Sequence, residues 1–477
     1  MNVVLIQPSS PDEPVQPVES ASCDAHLYAP PWSILCLRAY VLERTRHTCI
    51  FLDCRQYTHL EKEFIEAVKT VPSPRLLVVN ATTENIGQAS AILEMAKRHF
   101  PETRTVLFGS YPSAFPDHAV NLPWADYALA GDPEPILRNL LDYMDVERRL
   151  QRVPGLVIPR VQSATPYWLT DLKSLSMPDW HGLFWSAYQV GANRGTCRAE
   201  MKLSRGHSHC PSDRIFGGMD EPLRTWPLDR AAMTLLKCAH LGVTEVFLTD
   251  PPGIWTVERL SQWCKALRMV RNSQPWGLRL LPTFIDDETL ADMEFTMCRR
   301  VEFVYPSCDP DILKQYGCTI EPAHLAAMMT VMKEYNIQTV VRFLVGGPEE
   351  SKPEELRIQQ TIASLNYCRY VMQSMPLVFD APLYRAFGSQ PGTPRPDEWL
   401  QWTIHPWIEE KPVCLWGGKE ALSRIEDIMQ DAHSAIQHSW KRIFRGLFSR
   451  VLTTNWILAA EDRAVGLLPS ALPHPDE

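Results

Sequence analysis

Four side chains of metal-binding type, His207, His209, Cys210 and Asp213, lie within seven residues of chain. Imidazole nitrogen, thiolate and carboxylate together suit zinc or another transition metal. Their spacing matches no structural zinc pattern, and histidines also occur on exposed loops without binding anything. Cys197 stands thirteen residues before Cys210 and could approach it in space. With a histidine the two thiols would make an unusual cluster site, although iron–sulfur clusters generally prefer thiolates. His207, His209 and Cys210 are the candidate metal ligands.

The segments that must position this loop show in the hydrophobic periodicity. Along residues 1–150, apolar runs at Val3–Ile6, Cys49–Asp53, Arg75–Asn80, Thr105–Gly109 and Tyr127–Gly131 read as strands. Helical spacing covers Trp32–Arg44, Glu61–Val71, Ile86–His99 and Pro135–Met144. Strand and helix alternate, which predicts an α/β domain with a doubly wound parallel sheet. Ligands of such sheets bind at the carboxyl ends of the strands. The candidates there are Gln7, then Asn80, Thr82 and Thr83, then Gly109, Ser110 and Tyr111, then Gly131 and Glu134. A glycine at a strand end lets backbone approach a ligand closely, or it simply makes a tight turn.

Residues 151–196 read as a linker with one short strand. Residues 197–395 hold further strand–helix units, among them Leu228–Leu241, Glu245–Asp250, Val257–Asn272, Gly277–Pro282, Val301–Tyr305, Glu321–Tyr335, Thr339–Val345 and Pro353–Cys368. Units of this length predict a full or partial parallel (β/α) barrel. Residues 396–477 are expected to be helical. Within them 439–452 is basic and amphipathic, suited to an anionic membrane surface, a partner, or packing on the barrel.

The net charge of −9, with no long basic run, argues against a nucleic-acid partner. Thirteen scattered cysteines fit reduced thiols in a cytoplasm rather than a disulfide framework. The N-terminal residues lack the features of a signal peptide. No apolar run reaches the ~20 residues that span a bilayer.

Leu203 to Phe216 contains Ser204-Arg205-Gly206 and Cys210-Pro211, with Ile215-Phe216 beyond. This stretch resembles the Ser-Arg-Gly-Cys-Pro-x-x-Cys-x-Phe-Cys loop of radical S-adenosylmethionine (SAM) enzymes. In that superfamily three cysteines hold a four-iron cluster. Counted from Cys210, the other two positions are Arg214 and Gly217. Counted from Ser204-Arg205-Gly206, the three positions are His207, Pro211 and Arg214. Neither register supplies three thiolates, so the resemblance implies that the usual cluster is absent.

The N-terminal half is similar to the cobalamin-binding domain that precedes many radical SAM domains. Pro30-Pro31-Trp32 to Asp53 resembles its Pro-Pro, helix, strand, Asp segment. Gly109-Ser110-Tyr111-Pro112 stands for its Gly-Gly-x-His and Gly131-Asp132-Pro133-Glu134 for its Gly-Glu-Gly-Glu. No Asp-x-His-x-x-Gly stretch occurs, so no cobalt-ligating histidine is implied. Asp171 to Trp180 is similar to the bridge between the two domains. Gly346-Gly347-Pro348-Glu349 resembles a SAM-holding Gly-x-Pro-Gly stretch, Phe303 to Ser307 an altered Phe-Gly-x-Glu-Ser, and Pro391-Gly392-Thr393-Pro394 a closing Pro-Gly-Thr-Pro.

The resemblance implies a cobalamin-binding Rossmann-like domain, a radical SAM-like partial barrel and a helical C-terminal part. Its implied cofactors are cobalamin and SAM. It implies a non-radical cobalamin-dependent protein or an accessory partner of an active homologue or another pathway enzyme. The alternative is a cobalamin- and SAM-dependent methyltransferase or cyclase with an atypical site.

Overall fold

The computed structural model describes residues 1–8, 29–82, 85–159, 165–190, 196–206, 222–316, 318, 320–345, 347, 357, 360, 361 and 369–374. Its first part runs β1 (Asn2–Gln7), α1 (Trp32–Arg44), β2 (Thr48–Asp53), α2 (Leu60–Lys69), β3 (Arg75–Asn80), α3 (Ile86–His99) and β4 (Arg104–Phe108). It continues through α4 (Ser110–Ala114), α5 (Pro116–Val120), β5 (Tyr127–Leu129), α6 (Pro133–Tyr143), α7 (Glu147–Leu150) and β6 (Leu156–Val157). Among the described residues these strands form one sheet in the order β2-β1-β3-β4-β5-β6, parallel except for β6. Side chains alternate across each strand. Val3 and Leu5 pack with α1 and α6, while Val4 and Ile6 pack with α2 and α3. Both faces are therefore covered, which is why these strands read as unbroken apolar runs.

The second part comprises β7 (Gln189–Val190), β8 (Thr196–Met201), β9 (Ser204–Arg205), β10 (Arg224–Thr225), α8 (Leu228–Ala239), β11 (Glu245–Leu248) and α9 (Val257–Met269). It goes on with β12 (Trp276–Leu280), α10 (Asp287–Phe295), β13 (Cys298–Tyr305), α11 (Pro310–Gln315), α12 (Pro322–Glu334), β14 (Gln338–Val345) and β15 (Arg369–Ser374). The sheet order β15-β14-β13-β12-β11-β8-β7 follows the chain from β8 to β15, the winding of a barrel left open. Met201, Leu248, Leu278, Phe303 and Phe343 meet buried side chains of α8, α9, α10 and α12 on one face. The opposite face is charged. There Glu302 accepts from Arg279 (3.0 Å), Arg300 (2.9 Å) and Arg342 (3.2 Å). Burial alone would raise the Glu302 carboxyl, but the three guanidinium groups outweigh it and hold it well below the carboxylate range.

The two sheets share apolar contacts. Trp32, Leu35 and Cys36 of α1 belong to the cluster of the second sheet, together with Trp180. Val304, Tyr316 and Leu344 belong to a cluster of the first.

Several expectations change. The short strand expected in the linker is β6, which pairs antiparallel with β5 and extends the first sheet to Val157. Leu172, Leu175 and Trp180 are buried, so that stretch is held by packing. The Thr-Cys-Arg-Ala-Glu-Met run of β8 has no apolar block, yet it is a strand with Ala199 and Met201 facing the helices. Residues expected as an open turn after β4 form the helix α4. The expected helix at 353–368, apart from positions 357, 360 and 361, lies outside the described residues, as do 396–477 and the amphipathic stretch 439–452. Among the described residues no helix is long and apolar enough to cross a membrane.

Gly131 has φ +108, and a Cβ there would lie 2.0 Å from the Tyr167 carbonyl oxygen. Gly131→Ala is expected to cost about 1–3 kcal/mol or more, read as a lower urea midpoint.

Candidate functional site

In the first sheet the chain leaves β1 for β2 on one side and returns to β3 on the other. Sheets of this kind open a crevice at the carboxyl ends of the strands flanking that reversal. Gln7 and Asn80 occupy those ends, and the Asn80 amide donates to Gln7 Oε1 at 3.0 Å. The Thr82 N–H donates to Asn85 Oδ1 at 2.7 Å, and Thr83 lies outside the described residues. Half-buried amide side chains at a switch point suit a polar cofactor edge such as that of cobalamin.

The two glycine turns have a different cause from the one expected. A Cβ on Gly109, whose φ is +122, would meet Ala81 O at 2.5 Å, and Gly131 is closed by Tyr167. The close approach is made by the chain's own backbone. Ser110 is exposed. Tyr111 is fully buried in the apolar core, with its hydroxyl hydrogen-bonded to His118 Nδ1 at 2.8 Å. It therefore packs rather than lining the crevice. Ser113 ties the turns together, its Oγ donating to Gly109 O (2.7 Å) and accepting from Gly131 N (3.0 Å).

The turn after Gly131 carries Asp132 and Glu134, 1% and 0% exposed. Glu134, expected as a cofactor contact, instead holds Arg205 with both oxygens, at 2.5 and 2.8 Å. Arg205 also reaches Asp132 Oδ1 at 2.9 Å. Asp132 Oδ2 takes the Arg224 guanidinium and the Leu169 N–H (2.7 Å). Arg205 and Arg224 are cross-strand partners in the antiparallel ribbon β9–β10. Through that ribbon Ser204-Arg205 and Arg224-Thr225 are both attached to the Gly131 turn at the carboxyl edge of the first sheet. Burial would lower the Arg205 guanidinium, but the two carboxylates keep it fully charged.

On the other side of the ribbon, Ser204 Oγ donates to Asp250 Oδ1 at 2.5 Å. Asp250 follows β11 and is 1% exposed. Its Oδ2 has no hydrogen-bond partner among the described residues. Burial raises the Asp250 carboxyl, opposed by Ser204, the Leu203 backbone, Lys202 and Arg259. Arg259 sits in the first turn of α9, which Thr256 caps by accepting from the Arg259 N–H at 3.2 Å. Its Nε and Nη2 are buried without partners, as is the indole Nε1 of Trp255, whose ring lies 5.2 Å from the guanidinium. Burial lowers Arg259 and Asp250 opposes that. Asp250 and Arg259 thus influence each other electrostatically without a hydrogen bond between them among the described residues.

Cys210 lies outside the described residues, so only Cys197 of that expected pair is placed. Cys197 stands near the amino end of β8, and the strand between it and Ser204 spans roughly 20 Å. Its thiol donates to Trp185 O at 3.8 Å, and burial pushes it up to about 11. His207, His209, Cys210 and Asp213 lie outside the described residues, as do Gly346, Pro348 and Glu349, while Gly347 is buried. No group of three His, Cys, Asp or Glu residues able to hold a metal occurs among the described residues. Asp250, Arg259, Ser113 and Arg224 were not singled out in the sequence. A charged residue at the carboxyl end of a barrel strand was the available signal for Asp250. Arg205→Met leaves Glu134 buried and uncompensated, and is expected to cost about 3–5 kcal/mol in urea unfolding.

No protein-family model matches the chain. An uncharacterized methyltransferase of Pyrococcus horikoshii is 20% identical over 291 residues, covering 59% of this chain and 62% of that relative. The chain thus spans less than two thirds of that relative's length. TsrM from Kitasatospora setae, a radical SAM methyltransferase solved with cobalamin and a [4Fe-4S] cluster, superposes with TM-score 0.62 at 17% identity, over 82% of this chain and 77% of TsrM. TsrM has also been solved with tryptophan substrate and a SAM analogue. OxsB, a cobalamin-dependent SAM radical enzyme solved with aqua-cobalamin, gives TM-score 0.58 at 12% identity, over 84% of this chain and 56% of OxsB. At such identities the likeness is one of architecture: the chain has the fold of the cobalamin-binding radical SAM superfamily.

Proposed function

We propose that the protein binds cobalamin and SAM and serves methyl transfer without reductive cleavage of SAM. The supporting observation is the buried Asp250 and the half-buried Arg259 at the carboxyl edge of the barrel-type sheet, each with buried polar atoms that have no partner among the described residues. An α-amino acid end satisfies both, its ammonium on Asp250 Oδ2 and its carboxylate on Arg259. SAM carries that end. Leaving such buried polar atoms unmatched is costly, so a ligand that pairs them gains affinity.

The donor set argues against the usual cluster. Between Leu203 and Arg224 the chain has one thiol, Cys210, where three thiolates would be needed, and no step is assigned to a cluster here. Cobalamin, when bound, supplies a strongly nucleophilic cobalt centre suited to polar methyl transfer. The protein's part is positional. Gln7 and Asn80 offer polar contacts at the first sheet's edge, and Asp250 and Arg259 orient the amino acid end of SAM. The Asp132–Glu134 turn holds the two regions in register.

The test is anaerobic purification with iron, sulfide and cobalamin supplied, followed by metal analysis and incubation with SAM and reduced cobalamin. The expected result is cobalt near one per chain and iron well below the about four of a cubane cluster. S-adenosylhomocysteine should form without 5′-deoxyadenosine. Full iron loading with 5′-deoxyadenosine would overturn the proposal. Binding of both ligands without turnover would favour the accessory role, in which an active homologue performs the transfer.

Asp250→Asn should weaken S-adenosylhomocysteine by about tenfold or more, the worth of a charge-assisted bond of roughly 1.4 kcal/mol. The ionised carboxylate is the binding form. Its folded pKa is raised, so affinity should fall on acidification at a pH above the ordinary aspartate value of about 3.9. The Asn variant should lack that fall, as calorimetry across pH would read.

A further inference from the structure

We propose that Asp132 and Arg224 are positioning residues for Asp250, acting across the junction of the two sheets through the β9–β10 ribbon. This assignment rests on reading Asp250 as the carboxylate that binds the amino acid end of SAM.

The connection is continuous. Asp132 bonds Arg224 on β10. Arg224 also donates to Leu169 O (3.1 Å) and lies 5.5 Å from the Trp168 ring, which limits its orientation. Arg224 stands opposite Arg205 and Thr225 opposite Ser204 in the ribbon. The Trp226 N–H donates to Leu203 O at 3.0 Å, extending the pairing by one step. Ser204 then donates to Asp250 Oδ1, which leaves Oδ2 as the carboxylate oxygen without a partner among the described residues.

On the first sheet the connection continues through Gly131 N, Ser113 Oγ and Gly109 O. The cofactor edge of one sheet and the ligand carboxylate of the other are therefore joined by hydrogen bonds and ion pairs alone. A chain without three cluster thiolates needs some other means of holding the ends of the 206–223 loop, and this network provides it.

Releasing Arg224 should loosen the ribbon and remove the Ser204 hydroxyl from Asp250. That hydroxyl stabilises the ionised form, so its loss moves the Asp250 titration upward. The other groups facing Asp250 are Lys202 before the ribbon, the Leu203 backbone, and Arg259 on α9. Lys202 and Arg259 keep their side chains in the Asp132 and Arg224 variants, while the Leu203 backbone, paired with Trp226, would loosen together with Ser204.

The experiment uses the full chain, purified without iron, with S-adenosylhomocysteine as probe in calorimetry across pH. Hydrogen exchange of 203–206 and 224–226 is followed by mass spectrometry. In Asp132→Asn, affinity should fall about tenfold, the acid limb of the binding profile should move to higher pH, and ribbon exchange should accelerate. The double variant Asp132→Asn with Arg224→Met removes both members of one pair and leaves Arg205 with Glu134. It should bind no better than Asp132→Asn alone and keep the displaced acid limb, because the pair that fixes the ribbon is already broken in the single variant.

Faster ribbon exchange in Asp132→Asn with unchanged affinity and acid limb would overturn the proposal. So would an affinity loss with a stationary acid limb, since that marks general destabilisation. A double variant whose affinity and acid limb return to the parent's would overturn it as well, since Ser204 and Asp250 would then not depend on the pair. If Asp250→Asn binds the probe like the parent, the reading of Asp250 itself fails, whatever Asp132 does.

Discussion

Two arginines and two carboxylates, nearly sealed from water, lie where the two sheets meet. Each such ion costs several kcal/mol to remove from water, and only close pairing with further hydrogen bonds offsets that. Arg205 and Arg224 satisfy Asp132 and Glu134 only when the β9–β10 ribbon sits against the Gly131 turn. A displacement of an ångström or two would leave charges buried and unpaired. The cluster therefore specifies how the two parts dock, while the apolar contacts of α1 and of Val304, Tyr316 and Leu344 supply the less directional part of the attraction.

Other features at the junction depend on that geometry. Gly109 and Gly131 are glycines because Ala81 and Tyr167 approach them too closely for a Cβ. Ser113 links their turns. Asp53, at the end of β2, receives the Tyr188 hydroxyl at 2.9 Å, so the segment joining the sheets is also anchored on the first. Ser204 carries the same frame to Asp250. The result is two polar edges, one carrying the Gln7 and Asn80 amides and one carrying Asp250 and Arg259, fixed relative to one another. Such an arrangement suits a reaction in which a group passes between two bound molecules, because mutual placement is much of what a protein contributes to transfer chemistry.

The chemistry of the 206–223 loop fits this picture in a negative sense. The stretch from Leu203 to Arg224 keeps Ser204-Arg205-Gly206 and carries one thiol, Cys210, and Arg205 attaches it to the first sheet. Arg205 in particular has a structural role that does not involve metal, which explains how the attachment and the metal ligands can be separated.

The amino-acid sequence by itself determined the alternation of strands and helices, since burial of both faces of a parallel sheet demands local apolar runs such as Val3–Ile6 and Leu76–Val79. It also carried the ordered motifs that mark the superfamily fold. It did not reveal β8, whose inward Arg198 and Glu200 interrupt the apolar pattern. Glu134 and Tyr111 stood in ligand motifs, but the structure assigns them to an ion pair and to the core. Asp132 and Arg224 are 92 residues apart, and nothing local to either one encodes the other. Spacing along a chain reports which face a residue takes. Only the tertiary structure decides which buried charges meet, because the cost of leaving them unpaired is settled between distant segments.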